Sequence, residues 1–99
     1  MPEKLSDIEI QNNLKTLQGW EVTDNALIRT FQLPSFAHAV LMMGAIGQLA
    51  EAAGHHPDIL IHGYNKLTVT LTTHSAGGIT EKDFSLARQI QALPLRQKT

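Results

Sequence analysis

The segment Lys66–Thr73 places the strongest constraint on the fold of this chain, because apolar and polar side chains alternate along it. Side chains of a β-strand point to opposite faces in turn, so Leu67, Val69 and Leu71 share one face. The opposite face carries the polar residues Lys66, Thr68, Thr70, Thr72 and His74. A strand with only one apolar face is typical of an antiparallel sheet that is covered on one side and open on the other.

Local start and stop signals divide the remaining sequence into helices and strands. A Ser or Thr followed three residues later by an acidic residue begins a helix, and a glycine commonly ends one. These helix signals are Ser6 with Glu9, Ser35, Thr80 with Asp83, Gly19 and Gly54. Asp24-Asn25 tolerates the positive φ of a tight turn and predicts a β-hairpin. We expect elements in the order α-β-β-α-β-β-α, at about residues 7–18, 20–23, 26–33, 36–53, 58–62, 66–73 and 81–92.

These elements predict one α+β domain over residues 1–99, a four-stranded antiparallel sheet with helices packed on one face. The predicted core-facing stripe of the long central helix comprises Phe36, Ala39, Val40, Met43, Ile46 and Ala50. Its other side carries Leu41, Met42, Ala45 and Leu49. So much apolar surface indicates either a partner helix or a helix buried on two sides. Because so small a chain buries only roughly 60–70% of its unfolded surface, we expect a homo-oligomer.

Composition excludes several classes of function. The formal charge is −1, from eight basic and nine acidic side chains without a Lys/Arg cluster, so we expect no direct nucleic-acid binding. The chain has no cysteine, which excludes disulfides, thiolate metal sites and thiol nucleophiles. It begins without a basic segment leading into an apolar run, and no stretch approaches the ~18 consecutive apolar residues of a membrane span. We expect a soluble cytoplasmic protein with no membrane partner.

Four of the five histidines lie within the segment 51–83. Histidine has an ordinary pKa of about 6.5, so this concentration indicates either proton transfer or a metal site. His55 and His56 are adjacent, and the proline that follows favours extended backbone, so their imidazoles are expected to point in different directions. Glu51 lies one helical turn before His55 and is predicted to hold an imidazole N–H. His74 is expected to reach the same region from the neighbouring strand.

The same residues resemble the signature of a known family, the pterin-4a-carbinolamine dehydratases. The matching positions are Glu51, His55-His56-Pro57, Tyr64-Asn65-Lys66, Thr73-His74, Gly77-Gly78-Ile79-Thr80 and Asp83, with looser agreement at Gly19-Trp20, Arg29-Thr30-Phe31, Phe36 and Ala39. The resemblance covers nearly the whole chain. It implies the helix-covered four-stranded sheet, homodimers or homotetramers, and dehydration of 4a-hydroxytetrahydropterin to quinonoid dihydropterin without a cofactor. In that family the reaction recycles the pterin used by aromatic amino acid hydroxylases.

The resemblance also implies the roles of individual residues. His55, His56 and His74 match the catalytic histidines, with Glu51 and Asp83 as supporting carboxylates. The pterin would be bound by His55, His56, Pro57, Thr73, His74, Ser75 and Ala76, without a metal. Elimination of the 4a-hydroxyl needs an acid and a base, and which histidine is which stays open. The chain departs from the animal enzymes in a longer stretch after Pro57 that lacks their tryptophan, and in Ala76, which replaces a cysteine.

Two other functions remain alternatives. The first is a zinc or iron site built from His55, His56, His74 and Glu51. Adjacent histidines seldom bind the same ion, and no HExxH spacing is present. The second is a binding module, because the fold also resembles dimerisation cofactors of homeodomain transcription factors and assembly factors, and fold alone does not separate these from enzymes. The complete histidine trio favours the enzyme, and a protein partner such as a hydroxylase or a regulator stays open.

The other aromatic and titratable residues have structural interpretations. His38 is expected at the surface or an interface, and His62 at a strand end. Trp20 and Tyr64 are predicted to pack in the core rather than to stack on a pterin. Asp83 fits either the third position of a capped helix or a direct substrate contact.

Overall fold

Seven regular elements follow one another in the predicted order in the computed structural model, which describes residues 3–94. Their bounds are α1 Asp7–Leu14, β1 Glu21–Thr23, β2 Ala26–Gln32, α2 Phe36–Ala53, β3 Asp58–His62, β4 Lys66–Leu71 and α3 Glu81–Gln91, with a short 3-10 helix at His74–Ala76. The α+β class and the order α-β-β-α-β-β-α are therefore confirmed. Residues 1–2 and 95–99, which the expected single domain includes, lie outside the described residues.

The four strands form an antiparallel sheet in the order β1-β2-β4-β3. The central strand β4 has the predicted faces: its three aliphatic residues are fully buried, and Lys66, Thr68 and Thr70 on the other face are half-buried. β4 ends two residues earlier than predicted, because Thr73 leaves the sheet and forms an isolated bridge with Gly78. His74 is therefore placed by the 3-10 helix, and its predicted position on the polar face of the strand was wrong.

Helix α1 begins at the predicted capping box and is four residues shorter than predicted. The Ser6 N–H donates to Glu9 Oε1 over 2.9 Å, and the Glu9 N–H donates to Ser6 Oγ over 3.2 Å. The backbone N–H of Ser6, and after it the hydroxyl, hold the pKa of Glu9 below its ordinary value. The helix stops early because the N–H and the hydroxyl of Thr16 both donate to the Asn13 carbonyl and turn the chain toward the core.

Helix α2 contacts the core with a face that overlaps the predicted one but is rotated from it, because Ala39, Ile46 and Ala50 are buried as predicted and Met42 joins them. Its buried residues are Ala39, Met42, Ile46 and Ala50. Met42 was assigned to the outer side, whereas Phe36 and Val40 were assigned to the core and are 56% and 47% exposed. The reason is geometric, because Val40 lies about 100° around the helix from Ala39 and faces solvent when Ala39 faces the sheet. Three large apolar side chains of α2, Phe36, Val40 and Leu41, are exposed.

By length and mean hydropathy, α2 also resembles a membrane-spanning helix, the one such helix in residues 3–94. This is weak evidence, since the core helix of a soluble protein passes the same test. The four residues of α2 that face the sheet, 22% of the helix, are fully or almost fully buried.

The two predicted packing aromatics have different environments. Trp20 is buried, lies edge-on to Phe31 with 6.2 Å between ring centroids, and donates from Nε1 to Gln91 Oε1 over 3.0 Å. Tyr64 is 64% exposed, so its predicted core position was wrong. Tyr64 occupies the β3–β4 turn with φ of 57°, and the core contact at this turn comes from its neighbour Asn65, which is buried.

Gly54 ends α2 in the left-handed conformation, with φ of 63°. A Cβ on this residue would meet no atom within 4 Å, so Gly54→Ala adds backbone strain without a clash. We expect this substitution to lower the free energy of unfolding by about 1 kcal/mol in urea denaturation. Gly54→Asn is the matched control, because asparagine also adds a side chain at this position but adopts the left-handed conformation at a lower cost. A stabilising effect of Gly54→Ala would contradict the assignment of the strained position.

Candidate active site

The three histidines of the sequence pattern meet in a cleft of about 380 Å³ at the place where α2 and β4 end and α3 begins. The residues that line it are Gly54, His55, His56, Thr72, Thr73, His74, Ser75 and Lys82. His55 and His56 follow the C-terminus of α2, and His74 and Ser75 belong to the 3-10 helix after β4. The fold therefore brings together side chains from three separate segments of the chain.

The end of α2 determines how the two adjacent histidines diverge. The N–H of Gly54 and the N–H of His55 both bond to the last turn of the helix, at 3.1 Å from His55 N to the Ala50 carbonyl. The left-handed turn at Gly54 then directs the His55 side chain inward, where it is 11% exposed, and leaves His56 66% exposed. The two imidazoles therefore point in different directions, as predicted.

Glu51 approaches His56 and not His55, contrary to the prediction. Its Oε2 lies 3.4 Å from His56 Nε2, and both side chains are largely exposed. The helical spacing that suggested His55 does not apply, because the helix ends at Ala53 before either histidine is reached. An exposed pair at this distance contributes little to stability.

The carboxylate that holds His55 belongs to Asp83. This side chain is fully buried, and its Oδ1 lies 2.5 Å from His55 Nε2. Its Oδ2 accepts the N–H of Thr80 over 2.9 Å and the hydroxyl of Thr73 over 2.8 Å. Asp83 is thus the third residue of the capping box of α3, as predicted. It is not among the residues that line the cleft, and its contact with the cleft is through His55.

His74 and Ser75 are exposed at the mouth of the cleft. Their position is fixed by the bridge between Thr73 and Gly78, in which the Thr73 N–H donates to the Gly78 carbonyl over 3.0 Å. Pro57 and Ala76, which the resemblance assigned to the pterin site, are half-buried and do not line the cleft.

Lys82 is a cleft residue that the sequence reasoning missed. It occupies the first turn of α3, where its N–H donates to Thr80 Oγ1 over 3.2 Å. Side chains in the first turn of a helix point back over its N-terminus. The predicted start of α3 next to Asp83 could therefore have indicated that Lys82 lies near the cleft. Lys82 and His55 also line a second cavity of about 290 Å³, whose other residues are Ala53, Glu81, Ser85 and Leu86.

The hydrogen bonds of the site determine which proton each group can move. Because His55 Nε2 faces a carboxylate oxygen, we infer that this nitrogen carries the hydrogen. His55 Nδ1 has no partner within residues 3–94, and no buried side-chain nitrogen or oxygen in that range lacks one, so Nδ1 is open to solvent. An imidazole held in this way by a carboxylate can accept a proton through its free nitrogen.

A ligand set for a metal ion does not form within the described residues. No group of three or more histidine, aspartate or glutamate side chains in the range 3–94 is arranged to hold an ion. His55 faces Asp83 and His56 faces Glu51. The two imidazoles therefore do not point at one position where a zinc or iron ion would bind.

Comparisons with known proteins agree with one another. The family model described as pterin 4 alpha carbinolamine dehydratase matches residues 3–93. A protein of Roseiflexus sp. (strain RS-1) is 52% identical over 93 residues, which is 94% of this chain and 99% of that protein. A protein of Chloroflexus aurantiacus is 47% identical over 90 residues, 91% of this chain and 96% of that one. The names of both relatives give them provisionally as pterin-4-alpha-carbinolamine dehydratases.

Two solved structures share the fold. The crystal structure of a transcriptional coactivator/pterin dehydratase from Brucella melitensis has a TM-score of 0.86 and 36% identity, and the match covers 91% of this chain and 97% of that one. A pterin dehydratase-like protein identified as a RuBisCO assembly factor of the alpha-carboxysome has a TM-score of 0.59 over 74% of this chain and 83% of that one. Its identity of 24% shows the fold alone.

Replacing Asp83 should destabilise the protein much more than replacing the equivalent residue of the other capping box. Asp83→Ala leaves the Thr80 N–H, the Thr73 hydroxyl and His55 without their acceptor in a buried site, and we expect a loss of at least about 2 kcal/mol. Glu9→Ala removes the same capping position in exposed α1 and is the matched control. Equal losses in the free energy of unfolding would contradict the buried network.

Proposed function

The chain belongs to the pterin 4 alpha carbinolamine dehydratase family and is thereby a hydro-lyase, and from that premise we propose that its histidine cleft dehydrates a 4a-hydroxytetrahydropterin to the quinonoid dihydropterin. The observation that supports this most is the contact of buried Asp83 with His55 at the wall of a cleft that also contains His56 and His74. Elimination of water needs a base and an acid on the same bound molecule, and the cleft offers imidazoles from different segments.

His55 is the proposed base. Its free Nδ1 accepts the proton from a ring nitrogen of the substrate, and the electron pair of that N–H bond forms a double bond to the carbon that loses its hydroxyl. The Asp83 carboxylate stabilises the imidazolium that forms and keeps the ring in place. This role follows from burial, since His55 is 11% exposed and His56, the other histidine with a carboxylate partner at the cleft, is 66% exposed.

His74 is the proposed acid. It is exposed, and no hydrogen bond from its imidazole to another residue in the range 3–94 competes for its proton. It donates a proton to the leaving hydroxyl, which departs as water, and it is protonated again from solvent. His56, beside Glu51, is left to bind the substrate at the rim. The overall change is a redox-neutral loss of water, so the proposed chemistry needs no cofactor beyond the two imidazoles.

The proposed setting is the recycling of tetrahydrobiopterin in the cytoplasm. The support for the substrate class is the family and the names of its members, and the support for the recycling role is the resemblance to enzymes that serve aromatic amino acid hydroxylases. We accordingly propose a hydroxylase or a regulator as a protein partner.

We further propose that the protein is a homodimer or homotetramer associated in part through α2. Phe36, Val40 and Leu41 are large apolar side chains exposed on one helix, and Gly44 on the same side offers no side chain to keep a second helix away. An exposed apolar helix surface of this kind is typical of a protein interface. The same exposed surface is the observation that favours the alternative of a binding module.

Replacement of the proposed acid tests the catalytic proposal. His74→Ala should lower turnover of chemically generated 4a-hydroxytetrahydropterin by at least about tenfold, followed as quinonoid dihydropterin formation with metal-stripped protein. Its exposure predicts an unchanged fold by circular dichroism. His62→Ala is the matched control, because His62 is also exposed but bonds to Thr68 on the open face of the sheet. Wild-type turnover by folded His74→Ala would remove His74 from the mechanism.

A charge on the outer side of α2 tests the oligomer. Leu41→Glu should shift the protein to a smaller species in sedimentation equilibrium, because a carboxylate in an apolar interface costs free energy unless it is paired. Ile8→Glu changes another exposed apolar residue, on α1, and should leave the mass unchanged. An oligomer that tolerates Leu41→Glu, or a wild-type protein that is a monomer, would contradict an interface on α2.

A further inference from the structure

Behind Asp83 lies a chain of two buried hydroxyls, those of Thr73 and Thr80, that has no role in the mechanism proposed above. Thr73 is 6% exposed, and Thr80 and Asp83 are fully buried. Thr73 Oγ1 lies 2.8 Å from Asp83 Oδ2 and 2.9 Å from Thr80 Oγ1. The two threonines stand at the end of β4 and at the start of α3, so the chain of hydroxyls joins the two elements that frame the cleft.

The number of hydrogens on these two hydroxyls determines the direction in which their hydrogen bonds run. A hydroxyl has one hydrogen, and that of Thr73 is donated to the carboxylate, which can only accept while it is ionised. The contact between the two hydroxyls must then use the hydrogen of Thr80, whose oxygen in turn accepts the N–H of Lys82. The N–H of Thr80 also donates to Oδ2. All of these hydrogens are therefore donated in the direction of Asp83, and Asp83 Oδ2 accepts two hydrogen bonds.

The two hydrogen bonds to Oδ2 of Asp83 determine the direction in which Oδ1 of the same carboxylate points. With Oδ2 held by two donors from different elements, the carboxylate has one orientation, and Oδ1 faces His55 Nε2. We infer that Thr73 is a positioning residue: its hydroxyl, supported by that of Thr80, fixes the Asp83 carboxylate so that His55 keeps its hydrogen on Nε2 and presents a free Nδ1 to the cleft. As a statement about catalysis, this rests on the proposed function.

Thr73 links both proposed acid–base groups. Its hydroxyl acts on His55 through Asp83, and its backbone, bridged to Gly78, leads directly into His74. The resemblance assigned Thr73 to pterin binding. Its hydroxyl bonds are instead to two buried internal groups, so the part of Thr73 that faces the cleft is not its hydroxyl.

Charged and titratable groups near His55 come from each neighbouring element: Asp83, Glu81 and Lys82 of α3, His56 after α2, and His74 of the 3-10 helix.

The test compares Thr73→Val with Thr73→Ser. Valine keeps the branched shape but removes the donor, and serine keeps the donor. We expect Thr73→Val to lower kcat by about tenfold with KM within about twofold, and Thr73→Ser to restore most of kcat. Thr70→Val is the matched control, because Thr70 is a half-buried threonine of β4 outside the cleft, and it should leave kcat unchanged. Unchanged kcat in folded Thr73→Val would overturn the inference.

A second measurement does not depend on turnover. Long-range proton–nitrogen NMR spectra of ¹⁵N-histidine-labelled protein report which ring nitrogen carries the hydrogen. In the wild type we expect the Nε2–H form for His55, and in Thr73→Val a mixture of both forms. A wild-type His55 with its hydrogen on Nδ1 overturns the inference even if no variant folds. Because the tautomer is read without substrate, failure of this inference and failure of the dehydratase activity give different results.

Discussion

The buried carboxylate of Asp83 is the group on which both the fold and the site depend. A polar group removed from water must find hydrogen-bond partners inside the protein, or the loss of hydration is not compensated. Asp83 finds them on three elements: Thr80 at the start of α3, Thr73 after β4, and His55 after α2. The same bonds therefore connect the elements and orient an imidazole. Stability and the proposed chemistry are coupled here, because the bonds that join the elements also orient His55.

The remaining geometry follows from where the elements end. The single apolar face of β4 places α2 and α3 on one side of the sheet, and the ends of these helices meet beyond the last residues of the strand. Gly54 reverses the chain at the end of α2, so that one of two adjacent histidines turns toward the interior and the other toward solvent. Two neighbouring residues of the same type thus acquire different environments. The proposed mechanism depends on that difference, because it uses buried His55 as the base and exposed His56 to bind the substrate.

Local sequence signals predicted most of the fold. Capping residues, the Asp24-Asn25 turn and the alternation along β4 act over a few residues, and the elements that they define are present. The errors concern interactions between distant residues. Which face of α2 meets the sheet, and which carboxylate reaches His55, depend on tertiary packing that periodicity does not contain. Glu51 lies only four residues before His55 in the sequence, yet Asp83, 28 residues away, is the partner of His55.

The three histidines of the candidate site were predictable, but the arrangement around them was not. The motif brought His55, His56 and His74 together correctly, whereas the hydrogen-bonding role of Thr73 and the cleft position of Lys82 needed the structure. Spacing along the chain identifies which side chains can meet. It does not say which hydrogen bonds form once they do, and those bonds decide which nitrogen of His55 is free.

The measurement that tests the central claim most directly is an NMR titration of ¹⁵N-labelled protein with 7,8-dihydrobiopterin, a stable relative of the proposed product. A pterin that binds among the three imidazoles should give saturable amide shift changes that are largest in residues 54–56 and 72–75 and at Lys82. Saturable changes confined to the outer side of α2 or to the open face of the sheet, or no saturable change at all, would contradict a pterin site in this cleft.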